Sequence, residues 1–145
     1  MKKILIINGP NLNLLGERET EIYGSKSLKE IEDECKEVFA KKDVDLVFFQ
    51  SNSESEIIDV LQSSKEYNGI IINAGAFTHT SIAIHDTLKI LKIPKIEIHI
   101  SNIYSREEFR KKSFISPVVN GIIAGFGTSV YQIAINSISH LEQDE

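Results

Sequence analysis

Five short apolar runs, mostly β-branched, recur along this chain, and segments with helical spacing lie between them. The runs are residues 3–7, 45–49, 69–72, 95–98 and a last one within 118–124. They show little polar alternation, which suits strands covered on both faces. Parallel neighbours need crossover connections, and strand–helix alternation supplies them. The pattern predicts an α/β chain with a parallel sheet and helices on both faces.

The helical segments carry their own punctuation. Ser27 with Glu30 fits a capping box, and Leu28, Ile31, Cys35, Val38 and Phe39 follow at helical spacing. Ser53 with Glu56 repeats the device before Ile57, Val60 and Leu61. Residues 80–91 read as a third helix, stopped before Ile93 and Pro94. Tyr131, Ala134, Ile135, Ile138 and Leu141 share one face of a closing helix. The chain has 145 residues, the size of one domain, and no linker or repeat interrupts it, so residues 1–145 read as a single domain. The natural candidate is a flavodoxin-like doubly wound five-stranded sheet, with its ligand outside the C-terminal strand ends near the switch point.

Charge narrows the function classes. The formal net charge is −5, so no global field draws in nucleic acid or an anionic membrane. Positive groups for an anionic ligand must be gathered locally. The apolar run 4–7 is too short for a signal segment, and no stretch approaches the ~20 residues of a membrane span. A cytoplasmic location is the default expectation. Cys35 is the one cysteine, which excludes an intrachain disulfide; its place on an apolar helix face makes it a core residue.

The segments after the strand ends are dense in amides, hydroxyls and imidazoles. They are Asn8-Gly9-Pro10-Asn11-Leu12-Asn13, Gln50-Ser51-Asn52-Ser53, Asn73-Ala74-Gly75-Ala76-Phe77-Thr78-His79-Thr80 and His99-Ile100-Ser101-Asn102. Four polar loops converging on one sheet edge suit a polar small-molecule site. No P-loop, zinc-helix pattern, nucleophile elbow or carboxylate cluster is present. Gly125 and Gly127 supply two of the three dinucleotide-fingerprint glycines, after the last strand rather than the first.

Several residues in these loops could do chemistry. Arg18 and Tyr23 lie in a long irregular stretch, which in a compact domain suits a lid. A guanidinium beside a phenol favours the phenolate and makes it usable as a base. The bland alternative is a surface arginine and a packed tyrosine. Thr78-His79-Thr80-Ser81 is either a helix N-cap with an incidental histidine or a hydroxyl-binding edge. Glu97 and His99 are two apart on a strand and share a face. A carboxylate there orients the imidazole and favours its protonated form, as a general acid requires. The backbone N–H groups of Ile100 and Ser101 could receive a carboxylate. Arg106 and Arg110, at i and i+4, would share one helical face as an anion or hydroxyl clamp, or form a solvated turn with glutamate partners. His85 and His140 read as helix-surface residues.

In order and wording these blocks closely resemble the type II 3-dehydroquinate dehydratases. The blocks are Asn8 to Arg18 with Tyr23-Gly24, Gln50 to Asn52, Asn73 to Ser81, Glu97 to Asn102, and Arg106 to Arg110. The resemblance spans nearly the whole chain and makes residues 1–145 a single catalytic domain. It implies a cofactor-free lyase, with no metal, that turns 3-dehydroquinate into 3-dehydroshikimate in the shikimate pathway or in quinate breakdown. It implies a homododecamer built from four trimers. By matching motif, Tyr23 is the base at C2, Arg18 supports the phenolate, and Asn11 helps to hold a water at the enolate oxygen. His99, oriented by Glu97, protonates the departing C1 hydroxyl. The amides of Ile100 and Ser101 hold the carboxylate. Asn73, His79 and Arg110 hold ring hydroxyls with Arg106 nearby, and Asp86 reaches the site of a neighbouring subunit.

Some positions depart from the family's pattern. Thr20 and Ala74 stand where proline is frequent, His85 where arginine is, Lys111 where histidine is and Val130 where glycine is. None removes a group with a chemical role. Two other classes compete with the enzyme. A flavin- or nucleotide-binding flavodoxin-like module predicts a glycine- and hydroxyl-rich loop after strand one, where Pro10 and three asparagines stand. A non-catalytic descendant predicts loss of Tyr23, Arg18 or His99, all of which are present.

Overall fold

The computed structural model describes residues 1–142. Its five strands are β1 (Lys2–Asn8), β2 (Val44–Gln50), β3 (Gly69–Asn73), β4 (Lys95–His99) and β5 (Gly121–Ala124). All pair in parallel, in the order β2-β1-β3-β4-β5. This is the flavodoxin-like order, with its switch point between β1 and β3. The helices are α1 (Thr20–Tyr23), α2 (Leu28–Val38), α3 (Glu54–Gln62), α4 (Ile82–Ile90) and α5 (Val130–Glu142).

Alternation along each strand divides the core in two. Ile4, Ile6, Ile71, Ile96 and Ile98 meet α2 and α5 through Ile31, Cys35, Tyr131, Ala134 and Ile138. Leu5, Ile7, Ile70 and Ile72 meet α3 and α4 through Ile57, Leu61, Ile84 and Leu88. Both faces of β1 and β3 are thereby dry, which is why those runs show no polar alternation.

The helix starts follow their caps, with two corrections. At α2 the capping box is complete, Ser27 Oγ accepting from Glu30 N–H and Glu30 reaching back to Ser27 N–H. At α3 only half of the expected box forms. Ser53 Oγ accepts from Glu56 N–H, but Ser53 N–H already donates to Ser51 Oγ at 2.9 Å. The third helix is shorter than 80–91, because Ser81 is its cap and Thr80 ends a 3-10 turn.

Cys35 lies in the first core, 1% exposed. Burial, then the Glu34 charge, pushes its thiol up to about 11. Folded protein at about pH 8 is expected to leave a thiol-specific disulfide reagent unreacted, with reaction following unfolding. Prompt reaction of the native protein would contradict this placement.

Candidate functional site

The loops after β1 and β3 are locked together at the switch point. Gly9 N–H donates to the Asn73 carbonyl at 2.8 Å. A Cβ on Gly9 would stand 2.3 Å from the Ala74 carbonyl oxygen, so no larger residue fits. Gly9→Ala is expected to cost about 1–3 kcal/mol in a urea titration, because backbone must move. A stability unchanged from the parent would rule out this close approach. Beyond it, Asn11 takes a left-handed backbone, φ 68°, which asparagine tolerates better than most residues. Asn11 N–H donates to Asn52 Oδ1 at 3.0 Å, and Gln50 Nε2 to the Gly9 carbonyl at 3.1 Å, so the β2 loop braces the β1 loop.

An open cleft of about 630 Å³ lies over these strand ends. Asn11, Arg18 and Tyr23 line it from the segment after β1, and Asn73 and His79 from the segment after β3. His99, Ile100, Ser101, Arg106 and Arg110 line it from β4 and the chain that follows. Two of the expected site residues stand outside. Glu97 lies behind His99, fully buried. Asp86 is on α4, largely exposed, and pairs with His85 Nδ1 at 3.0 Å.

The expected lid is partly ordered: Thr20–Tyr23 form one helical turn. Thr20 occupies its first position, where proline is also at home. The guanidinium on the Tyr23 oxygen belongs to Arg106, whose Nη1 donates to Tyr23 Oη at 2.6 Å and to Ser101 Oγ at 3.3 Å. Arg18 instead lies over the ring face, 5.0 Å from its centroid, and pairs with Glu19 at 3.4 Å. The shared helical face expected for Arg106 and Arg110 does not exist. Arg106 is extended, between 3-10 turns at Ile103–Ser105 and Glu108–Arg110. Both still reach the cleft, and Arg110 Nε is held by Glu107 at 2.6 Å.

His99 and Glu97 meet as their two-residue spacing predicts, Nε2 to Oε2 at 2.5 Å. Since that nitrogen serves the carboxylate, Nδ1 is the other ring position. Ser113 Oγ also donates to Glu97 at 2.8 Å, and Ser116 Oγ donates to its second oxygen. Ser113 Oγ itself accepts from the N–H groups of Ile115 and Ser116, both at 3.0 Å, so its one proton is committed to Glu97. Burial raises the Glu97 carboxyl, but hydrogen bonds from His99, Ser116 and Ser113 with the His99 charge outweigh it and hold it low. Neither serine carries a sequence signal toward Glu97; they lie 16 and 19 positions away.

His79 Nδ1 donates to the Lys112 carbonyl at 2.7 Å, which leaves Nε2 as an acceptor. Burial keeps this ring below the ordinary histidine range, against the pull of that carbonyl. Its ring stacks near His99, centroids 6.4 Å apart. Gly125 and Gly127 turn their amides to the His99 and Ile100 carbonyls, where they close β5 against β4. The remaining departures are accommodated: Ala74 and Val130 are buried, and Lys111 pairs with Glu108 at 3.0 Å.

Fold and cleft together define a flavodoxin-like α/β protein with a polar cleft over the C-terminal ends of its strands. The family model "Dehydroquinase class II" matches residues 2–139. The chain belongs to the class II dehydroquinase family. It is 58% identical over 139 residues to the 3-dehydroquinate dehydratase of Prochlorococcus marinus (strain MIT 9301), covering 95% of each chain. It is 52% identical to that of Caldicellulosiruptor saccharolyticus, covering 97% of this chain and 99% of the other. The crystal structure of the type II dehydroquinase from Butyrivibrio crossotus superposes with a TM-score of 0.93 at 45% identity, covering 95% of this chain and 97% of that one.

Proposed function

We propose that this chain dehydrates 3-dehydroquinate to 3-dehydroshikimate by anti elimination through an enolate. The observation that carries the reading is a phenol held by a guanidinium in the same cleft as a carboxylate-anchored imidazole. Family membership and the names of the relatives support it. Tyr23, as phenolate, takes the C2 proton next to the ketone. Negative charge moves onto the carbonyl oxygen, where a water held by Asn11 donates. The C1–O bond then breaks as His99 delivers its proton to the departing hydroxyl, which leaves as water. Tyr23 has gained one proton and His99 has lost one, so exchange through solvent resets the pair. Glu97 holds His99 in place throughout.

The amides of Ile100 and Ser101 take the substrate carboxylate, while Asn73, His79, Arg106 and Arg110 take ring hydroxyls. The site is completed in a dodecamer of four trimers, where the exposed Asp86 reaches a neighbour's cleft. The substrate places the enzyme in the shikimate pathway or in quinate breakdown, in the cytoplasm.

The test is direct. Purified protein with a chelator is mixed with 3-dehydroquinate, and the conjugated enone of the product is followed in the ultraviolet. A steady rise is expected. A flat trace from folded protein would sink the reading and leave the fold untouched.

A further inference from the structure

Tyr131 stands on the first turn of α5, fully buried, and no step above uses it. Its hydroxyl lies between two asparagines that end adjacent strands, Asn8 of β1 and Asn73 of β3, which are partners in the parallel ladder. Asn73 Nδ2 donates to Tyr131 Oη at 3.2 Å, and Oη donates to Asn8 Oδ1 at 2.6 Å. Asn8 Nδ2 donates in turn to the Phe49 carbonyl of β2 at 3.3 Å. Asn8 is 0% and Asn73 4% exposed.

Each direction in this chain follows from the one before it. A carbonyl only accepts, so Asn8 turns its amide nitrogen to Phe49 and its oxygen to Tyr131. A phenol has one proton, which goes to that oxygen, so toward Asn73 the phenol can only accept. Asn73 must then aim Nδ2 at Tyr131 and turn Oδ1 away, where Gly75 N–H reaches it at 3.4 Å. A flipped Asn73 would set oxygen against the phenol lone pairs and its NH₂ against that N–H. Both contacts are repulsive.

We propose that Tyr131 is a positioning residue: by relaying the polarity of the Phe49 carbonyl, it holds Asn73 in the one amide orientation that offers an oxygen acceptor to a substrate hydroxyl. The proposal rests on the reading of Asn73 as a substrate-binding residue. Burial holds the Tyr131 phenol far above its ordinary range, against the Asn73 hydrogen bond, so the relay keeps its proton at every working pH. The device spans three strands and reads the amide of a cleft residue from behind.

Steady-state kinetics with 3-dehydroquinate test it, on the parent enzyme and on Tyr131→Phe, Asn8→Ala and Asn73→Ala. Tyr131→Phe and Asn8→Ala are also each combined with Asn73→Ala. Tyr131→Phe is expected to raise KM about 5- to 30-fold, the equivalent of one misoriented hydrogen bond, with kcat within about 3-fold. In the Asn73→Ala background the same change is expected to add less than about 2-fold, because the residue it acts through is gone. Asn8→Ala cuts the far end of the relay and should repeat this pattern; it carries the test if Tyr131→Phe does not fold. Equal KM factors in both backgrounds would overturn the relay, as would a kcat loss at unchanged KM. An unmoved KM in Asn73→Ala overturns it too, by removing the subsite. Absence of turnover in the parent is a different failure: it overturns the dehydratase reading itself.

Discussion

Tyr23→Phe is expected to lower kcat about 10²- to 10⁴-fold while leaving the fold and substrate binding in place. The change deletes one oxygen from a half-buried ring and nothing from either core. What it removes is the atom proposed to receive the C2 proton, the one on which Arg106 Nη1 closes at 2.6 Å. Arg106 keeps Ser101 Oγ at 3.3 Å and its pairings with Glu19 and Glu107, each at 3.9 Å, so no cation is stranded. The stability change should therefore stay within about 1 kcal/mol. Rate, KM and thermal midpoint, measured together, separate loss of a base from loss of structure. Turnover close to the parent rate would remove Tyr23 from the mechanism. Because Arg106 and not Arg18 bonds the phenol oxygen, Arg106→Ala is expected to depress kcat more than Arg18→Ala.

Glu97→Gln should reduce both rate and acid-dependent stability. The carboxylate accepts three donors at once: His99 Nε2, Ser113 Oγ and Ser116 Oγ. An amide of the same shape sets an N–H₂ against at least one of them. A misdirected His99 is expected to lose kcat by about 10²- to 10⁴-fold, the range of general acid–base catalysis. The pH dependence follows from the sign of the shift. The folded carboxyl is held low, so the unfolded chain takes up its proton first as pH falls. Its stabilising contribution is complete above the ordinary glutamate value of about 4.3 and is lost on descent through the folded value. Glutamine has no such proton to bind, so the variant's unfolding free energy should fall less steeply below about pH 4.3. Superimposable stability–pH curves for the two proteins would refute the held-low carboxylate.

What the chain states locally, it states legibly. Whether residues 3–7 or 69–72 form strands depends on their own side chains, and both strands appear, β1 extended to Asn8 and β3 to Asn73. The cap at Ser27 depends on a residue three positions away, and it forms. Where one more partner intrudes, the local rule fails. Ser51 takes the Ser53 N–H and half a capping box disappears. Arg106 and Arg110 fail similarly: a helical spacing is drawn as two tight turns, and i+4 adjacency no longer means a shared face.

The site divides along the same line. The candidate residues and their place after the strand ends could be read from the sequence, since the crevice beyond parallel strands is set by topology. Their pairings could be read only where the partner lies close along the chain. Glu97 and His99 are neighbours on one strand, and a two-residue spacing is enough to bring them together. The Arg106 bond to Tyr23 bridges 83 positions, and the Tyr131 bond to Asn8 bridges 123. No spacing rule reaches so far. Those contacts exist because the order β2-β1-β3-β4-β5 sets Asn8 beside Asn73 and packs α5 against them. Hydrogen bonds are chosen by distance in space, whereas strand, helix and cap are chosen by distance along the chain. The sequence by itself therefore determined the elements, their burial and the side chains available for chemistry. Only the tertiary structure decided which guanidinium meets the phenol, which hydroxyls hold the buried carboxylate, and which way Asn73 faces.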